Sequence, residues 1–307
     1  NNFPTQSPGQ YFDLREFYGA DLQPTKLLEA IDDADCKWRY SVASGDFMHI
    51  PGEPIVYWLP DALRTCFRSG VPLEKLAEPR IGMATCDNQT FLRLWTEVAI
   101  NNIGFGISSR PDALHRGAKW FPHHKGGEFR RWYGNLEYVV NWENDGSALQ
   151  TTKHPTEDRV RAHNFNLDYI FKPGLVWTSV TSSLPSFRLS ENGFLYDAAS
   201  GLCQIKDPKN MFNMLGLLNS KIVLTLQPAL NPTLNLVPGD LARLPVVQLS
   251  DSAAVENIVS NLVALYRQDW NQFETAWDFQ RSPLTGEKSQ SRLLSLAFEH
   301  WQTICAT

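Results

Sequence analysis

The clearest pattern of hydrophobic positions lies near the end of the chain. Apolar residues recur three and four positions apart over residues 255–266 and again over 293–301, which is the spacing of one helix face. A Pro-Leu-Thr-Gly sequence at 283–286 separates the two stretches, and proline and glycine commonly end helices. The pattern therefore predicts a C-terminal helical hairpin within residues 251–307.

Residues 81–250 have a different pattern. Short runs rich in β-branched and aromatic residues, at 136–142, 175–180 and 193–196, alternate with glycine, asparagine and aspartate. Such runs are typical of strands, and the Asn-Asp-Gly sequence at 144–146 predicts a turn. The main helical spacing in this region covers 210–226. We expect the Pro-Ala-Leu-Asn-Pro-Thr sequence at 228–233 to end that helix.

Residues 1–80 mix short helical patterns with proline and glycine. One helix is expected to begin near Thr25 and another near Pro60, while the apolar run at 55–58 fits a strand or the start of a helix. The sequence thus predicts an α+β fold in three parts. These are an N-terminal helical or linker region (1–80), a mixed, β-rich domain with flanking helices (81–250) and a C-terminal helical segment (251–307).

Composition narrows the class of protein. A chain of 307 residues, 43% hydrophobic and 20% charged, is long enough for two compact folded units. No apolar run approaches the roughly 20 residues that span a bilayer, so we expect no membrane partner. The first ten residues lack the basic and apolar regions of a signal peptide. The chain also lacks an initiator methionine, which suggests a fragment.

The cysteines favour a reducing compartment. Their number is odd, they are far apart and no two form a CxxC pair, which argues against a zinc ribbon and a disulfide framework. We therefore expect a cytoplasmic protein. The five residues are Cys36, Cys66, Cys86, Cys203 and Cys305.

Charge is unevenly distributed along the chain. The net charge is −5, but residues 115–131 contain five cations and one anion, a local charge of +4. From residue 251 onward there are four cations and seven anions, a local charge of −3. A short basic run is either a solvated face or a surface for an acidic partner.

The stretch 119–135 combines these cations with aromatic residues and a Gly-Gly pair. Its lysines and arginines suit phosphates and guanine edges, and Gly126-Gly127 lets the backbone approach a ligand closely. The aromatic residues Trp120, Trp132 and Tyr133 could stack on a ligand or fill a core. Adjacent histidines such as His123 and His124 point to opposite faces of a strand, so we expect a loop that contacts solvent or phosphate rather than a metal site.

Residues 120–146 resemble the signature stretch of the PglX family, the adenine-specific DNA methyltransferases of bacterial BREX phage-defence systems. Further matches occur in order along roughly residues 50–285, at 82–91, 101–106, 217–221, 231–240, 244–246 and 273–284. The same order is similar to the target-recognition domains of Taq-type and Type IIG methyltransferases. In the first of these matches, Cys86 stands where the family has a glycine.

The resemblance implies a DNA target-recognition region that lies C-terminal to a methyltransferase domain. It implies double-stranded DNA, that domain and other defence-system proteins as partners. It also implies S-adenosylmethionine as the cofactor of the parent protein, an N6-adenine methyltransferase, with no cofactor and no enzyme activity in this chain. The residues expected to bind DNA are Thr85, Asn88, Lys119, Trp120, His123, His124, Lys125, Gly126, Gly127, Arg130, Arg131, Tyr133, Arg161, Thr178, Ser179, Ser182 and Arg188.

Catalytic motifs of such enzymes are missing from the sequence. There is no Pro-Pro pair for a base-holding Asn/Asp-Pro-Pro loop, and the Gly-x-Gly at 104–106 has neither a third glycine nor a helix pattern after it. A nuclease would need Asp112 and Glu128 on adjoining strands to hold Mg²⁺. We identify no catalytic constellation and no metal site.

Two other classes of function remain open on sequence alone. The chain could be a protein-interaction module in which the acidic tail docks a partner and the basic stretch pairs with an acidic protein surface. Ten tryptophans also allow a carbohydrate-binding module. DNA binding differs from both because it weakens steeply with salt.

Overall fold

The computed structural model describes residues 7–180, 184–247, 250–285 and 294–306. The chain forms two compact units. The first comprises Asn1–Lys75, Ser220–Thr233 and Gly239–Leu249, and the second comprises Leu76–Asn219, Leu234–Pro238 and Ser250–Thr307. The predicted α+β class is confirmed.

The first unit opens with a two-stranded antiparallel sheet. Its first elements are β1 (Pro8–Phe12), α1 (Leu22–Asp32), β2 (Arg39–Ala43), α2 (Asp61–Ser69) and β3 (Val71–Pro72). Helix α1 begins three residues before the predicted start at Thr25. Residues 55–58 form neither a strand nor a helix. Their Tyr57 ring stacks on Tyr11 with centroids 5.1 Å apart, so aromatic packing rather than a backbone ladder holds this segment.

The second unit is built on two four-stranded sheets. The elements of this part, in chain order, are β4 (Ala77–Arg80), α3 (Asn88–Phe91), β5 (Leu92–Leu94), α4 (Arg110–Arg116), β6 (Trp120–His124), β7 (Tyr138–Asn141), α5 (Glu143–Thr151), β8 (Gly174–Trp177), β9 (Phe187–Ser190), β10 (Leu195–Tyr196), β11 (Leu202–Ile205) and α6 (Met211–Leu218). The strand orders of the two sheets are β10-β6-β7-β5, in which β10 and β6 run parallel, and β4-β11-β8-β9, which is antiparallel throughout.

The helical stretch predicted over 210–226 is two helices. Asn219 ends α6 because its side-chain amide pairs with both the N–H and the carbonyl of Phe187. The Ser220 hydroxyl then caps the next helix by accepting from the Val223 N–H. That helix includes Pro228 and ends at Leu230, so the expectation that the 228–233 sequence ends it is confirmed. The remaining elements are α7 (Lys221–Leu230), α8 (Pro238–Ala242), β12 (Pro245–Val246), α9 (Ser252–Trp270) and α10 (Leu294–Ala306).

The predicted C-terminal helix pair is confirmed as α9 and α10. The apolar face of α9 buries Val259, Val263 and Trp270 within the second unit. Asn144, Asp145 and Gly146 take left-handed conformations inside α5, as their short side chains allow. A Cβ at Gly146 would lie 2.5 Å from the Trp142 ring, so this site needs glycine for space as well.

The main core of the second unit is aromatic and aliphatic. Phe121, Trp142, Phe171 and Tyr196 are fully buried in it, and each such side chain adds about 2–3 kcal/mol of hydrophobic stabilisation. A second cluster joins Tyr133, Leu136 and Phe194 to Trp270 and Ala276 in the segment that ends α9. In the described part of the chain, no helix is long and apolar enough to cross a membrane.

Candidate nucleic-acid interface

Several loops of the second unit meet at one edge of its sheets. The Asp197 N–H donates to His124 O (2.9 Å), the Ser179 N–H donates to Ala199 O (2.9 Å), and Met83 forms a bridge with Asp197. The next residue, Ala84, pairs with His163. We call residues 84–88, 124–128, 161–163, 178–180 and 197–199 the loop rim.

Two glycines in the loop rim let backbones pass close together. Gly126 and Gly127 have φ values of +96° and +117°, a region that favours glycine. A Cβ would lie 3.0 Å from Ala199 O at Gly126 and 2.8 Å from Asn135 Nδ2 at Gly127. The Thr178 hydroxyl donates to Gly127 O (3.2 Å) and closes the loop from the other side. The Gly-Gly pair therefore allows these protein segments to pack closely against one another.

The structure brings Thr85, Asn88 and Arg161 together at one end of the loop rim. The Thr85 hydroxyl donates to Asn88 Oδ1 (2.5 Å), and Arg161 donates to Cys86 O (3.1 Å) and to the Asp87 carboxylate (2.8 Å). Thr85 is buried, whereas Asn88 is exposed. Cys86 has a left-handed φ of +54°, a conformation that glycine adopts more readily than cysteine.

Lys125 lies over a buried acid. Its Nζ is 2.7 Å from Asp197 Oδ2, and the His123 Nε2 is 3.5 Å from the same oxygen. Burial acts to raise the Asp197 pKa. The hydrogen bonds from His123, Lys125 and the Ala199 N–H outweigh it, so the pKa is lowered and the carboxylate is charged. The Lys125 side chain keeps about a quarter of its surface exposed, and its ammonium is thus fixed at the loop rim.

Arg188 is buried completely beneath the loop rim. It donates to Arg130 O (3.2 Å) and, weakly, to the Thr178 hydroxyl (3.5 Å), while its Nε has no partner among the described residues. Burial lowers its pKa to about 10, and the Glu137 charge offsets only part of this effect. A residue in this position can orient Thr178 and the 130–131 backbone but does not face solvent.

His123 and His124 are also buried, each at 1% exposure in β6. The expectation of a solvent-facing loop at these residues is wrong, because the parallel strand β10 and the loop at 190–194 cover them. His124 Nε2 is 2.9 Å from Ser190 Oγ, and its ring stacks on Phe194. Burial lowers the pKa of His123 and lowers that of His124 well below 6.5.

These histidines are expected to make stability depend on pH. Since both folded pKa values lie below the unfolded value of about 6.5, the unfolded state binds more protons under acid. The free energy of unfolding should therefore fall as pH drops below about 6.5, by up to about 1.4 kcal/mol per pH unit for each histidine. Urea unfolding from pH 7.5 to 5.5 should show a shallower dependence for His124→Gln. The His115→Gln variant, changed at an exposed position, should keep the wild-type pH dependence. If the free energy of unfolding depends on pH equally in all three proteins, the inference that His124 is buried in its neutral form is contradicted.

Arg130 and Tyr133 pack against the end of α9. Arg130 pairs with Asp269 (3.1 Å), and its guanidinium lies 5.0 Å from the Trp270 ring centroid. Tyr133 is 5% exposed, and burial raises its pKa to about 12. The basic stretch and the acidic tail therefore neutralise each other in part, which the sequence alone did not reveal.

The remaining predicted residues are distributed as follows. Arg131 lies over the Phe129 ring and has no salt bridge within the described ranges. Lys119 is exposed but lies at the other end of β6 from Lys125, about 20 Å away for six extended residues. Trp120 is buried beside Ile103 and Val139. Ser182 lies outside the described residues.

No protein-family model matches the sequence, but individual proteins do. The chain is 32% identical over 298 residues to the adenine-specific methyltransferase PglX of Lacticaseibacillus casei (strain Zhang), covering 96% of this chain and 24% of the relative. It is 36% identical over 248 residues to the adenine-specific methyltransferase BrxX of Escherichia coli O9:H4 (strain HS), covering 79% and 19%. The chain matches one part of the PglX and BrxX adenine-specific methyltransferases.

The chain spans about a quarter of the PglX relative and a fifth of the BrxX relative. The resemblance to these methyltransferases implies a methyl donor, and the Gly-x-Gly at 104–106 does not fit one. A Cβ at Gly104 would lie 2.4 Å from the Phe121 ring, so this glycine serves packing. Helix α4 does follow, contrary to expectation, but the Ser109 side chain already caps it. We assign this segment no part in methyl transfer.

In this PglX-like chain, the two carboxylates that a nuclease would need are not arranged to hold Mg²⁺ together. Asp112 lies in the first turn of α4, where it accepts from the Ser108 N–H (2.9 Å), and Glu128 follows β6 in an exposed loop. The two carboxylates are thus not on adjoining strands. Across the described residues, no group of histidine, cysteine, aspartate and glutamate side chains could hold a metal ion.

Sequence reasoning missed the segment around which the loop rim is organised. Asp197, Ala198 and Ala199 contact three other loops through backbone and side-chain hydrogen bonds. A run of small residues after the Phe-Leu-Tyr strand was the available signal, since small side chains allow backbones to approach closely. Asn135, whose amide donates to Glu128 O (2.9 Å), was missed in the same way.

Proposed function

We propose that residues 81–250 recognise a specific sequence in double-stranded DNA for a BREX-type N6-adenine methyltransferase. The supporting observation is the loop rim, where polar donors from separate loops converge on one edge. The extended similarity to PglX and BrxX supports the methyltransferase context. In this proposal the parent protein acts in the cytoplasm, together with other defence-system proteins. A region outside this chain binds S-adenosylmethionine and flips the adenine.

Exposure assigns roles to the predicted residues in and near the loop rim. Lys125, Arg131 and Arg161 are the cations placed to contact phosphates. Asn88, Thr178 and Ser179 are short donors and acceptors suited to base edges. The buried residues Thr85, His123, His124 and Arg188 position these groups rather than touch DNA. Lys119, at the far end of β6, would reach only a separate part of the duplex.

Removing the positive charges of Lys125 and Arg131 is expected to weaken DNA binding. Lys125→Ala/Arg131→Ala should lower affinity at low salt at least about tenfold and flatten the log-log salt slope by about 2, one for each lost phosphate contact. The measurement is a fluorescence-anisotropy titration of random and genomic duplexes across a salt series. Lys209→Ala, an exposed cation before α6, is the matched control and should behave as wild type.

The same titration separates DNA recognition from a protein-interaction module. It is run on the 307-residue chain and on a longer protein that also contains the methyltransferase region. Absence of salt-sensitive binding by both folded proteins would contradict the proposal and favour the interaction module. Binding by the longer protein that the double substitution leaves unchanged would contradict the assignment of Lys125 and Arg131 as phosphate contacts.

A further inference from the structure

A pocket of about 430 Å³ opens in the second unit, and none of its lining residues belongs to the loop rim. Aromatic rings line its wall. Trp277 lies between Phe105 and Phe194, with ring centroids at 5.3 and 5.9 Å. Its volume lies within the range of small-ligand sites, about 300–1,000 Å³. The pocket can therefore hold a side chain or a small molecule.

Two exposed carboxylates, Glu191 and Asp278, lie at the mouth of this pocket. Glu191 pairs with Arg267 (2.6 Å), which neutralises one charge. Asp278 forms no hydrogen bond or salt bridge with any described residue, although the charge of Arg267 acts on it at longer range. Two carboxylates therefore share one arginine at the mouth, which leaves a net negative charge there. The faces of the aromatic rings add negative potential from their π-electrons. Both features attract a cation and repel a phosphate.

The pocket wall already holds a guanidinium in the geometry that a ligand would need. Arg267 lies 4.6 Å from the Tyr133 ring centroid while it pairs with Glu191, and both of these partners line the pocket. Planar guanidinium groups stack on aromatic faces and pair side-on with carboxylates, which an ammonium cannot do. Trp277 and Asp278 both line the same pocket, so a second aromatic ring and a second carboxylate are available to a guanidinium there.

We propose that this pocket binds an arginine side chain exposed on a protein partner. The guanidinium stacks on Trp277 and pairs with Asp278, and the aliphatic stem lies along Phe105 and Pro122. A cation–π contact together with a carboxylate pair makes such a side chain a local anchor within a larger interface. The inference does not rest on DNA recognition, because the pocket and the loop rim use different residues.

The test is a titration of ¹⁵N-tryptophan-labelled chain, followed by NMR, with the blocked peptide acetyl-Gly-Arg-Gly-amide. Trp277→Phe identifies the Trp277 indole signal. That signal should shift saturably, while the signal of the buried Trp177 should not. The citrulline peptide, a neutral isostere, should bind at least tenfold more weakly. Asp278→Asn should weaken arginine binding at least fivefold, whereas Asp207→Asn, an exposed control, should not.

Three outcomes would overturn the proposal. The Trp277 signal could fail to respond to the arginine peptide, the citrulline peptide could bind equally well, or Asp278→Asn could leave affinity unchanged. Asp278 is exposed, so its substitution should leave the fold intact, and the unchanged positions of the other indole signals verify this. A response of Trp277 to a DNA duplex but not to the arginine peptide would also contradict cation binding.

Discussion

Replacing Trp177 with alanine is expected to lower the free energy of unfolding by about 4 kcal/mol. The indole is fully buried at the end of β8, packs against Phe187, and donates through Nε1 to Leu236 O (2.8 Å). Removal of a buried tryptophan leaves a large cavity, with typical losses of about 3–5 kcal/mol, and here it also leaves a carbonyl without its donor.

Urea unfolding measures this effect as a change in midpoint. Trp177→Phe keeps most of the burial and should fall between wild type and the alanine variant. Val180→Ala, at an exposed position three residues later, should change the free energy by less than about 0.5 kcal/mol. If Trp177→Ala lowers the free energy of unfolding by less than about 1 kcal/mol, the claim that this buried indole stabilises the fold next to the 178–180 segment is contradicted.

The Arg188→Met substitution is expected to have opposite effects on stability and on binding. A buried guanidinium with an unpartnered Nε and no carboxylate in salt-bridge contact among the described residues is poorly compensated. Replacing such a group with an apolar side chain of similar length should raise the free energy of unfolding by about 2 kcal/mol. DNA affinity should fall about tenfold, because Thr178 and the Arg130 carbonyl lose the group that orients them.

The contrast with Arg188→Ala makes this prediction specific. Alanine removes the charge but leaves a cavity, so that variant should be less stable than the methionine variant by about 2 kcal/mol or more. If Arg188→Met is as destabilised as Arg188→Ala, the buried guanidinium stabilises the fold after all. If Arg188→Met binds DNA as wild type does, the positioning role is contradicted.

Local sequence patterns predicted those helices and strands that bury a single apolar face. The 3/4 spacing over 255–266 defines α9 because a single stripe, Val259, Val263 and Trp270, packs on the second unit. The histidines in β6 were mispredicted for a related reason. Alternation tells which residues share a face of a strand, but whether both faces are covered depends on β10 and the 190–194 loop, about 70 residues away.

Long-range pairing explains the rest of what the sequence did not predict. Arg130 was expected at a DNA surface, yet its carboxylate partner Asp269 is 139 residues further along. No local pattern links two such residues. The Cys86 turn is the converse case, because its backbone is left-handed although the residue is not glycine. A glycine in the sequence indicates where a turn with positive φ can form, but such a turn can also form without glycine.

The most direct test of the central claim is an exchange of this region between two methyltransferases of the PglX type that methylate different DNA sequences. One of the two would receive residues 81–250 of this chain, and N6-methyladenine would be mapped across the genome of cells that express the hybrid. If this region recognises the target, the methylated sequence should change to that of the protein from which the region came. A hybrid that remains active and still methylates the recipient's original sequence would contradict the account.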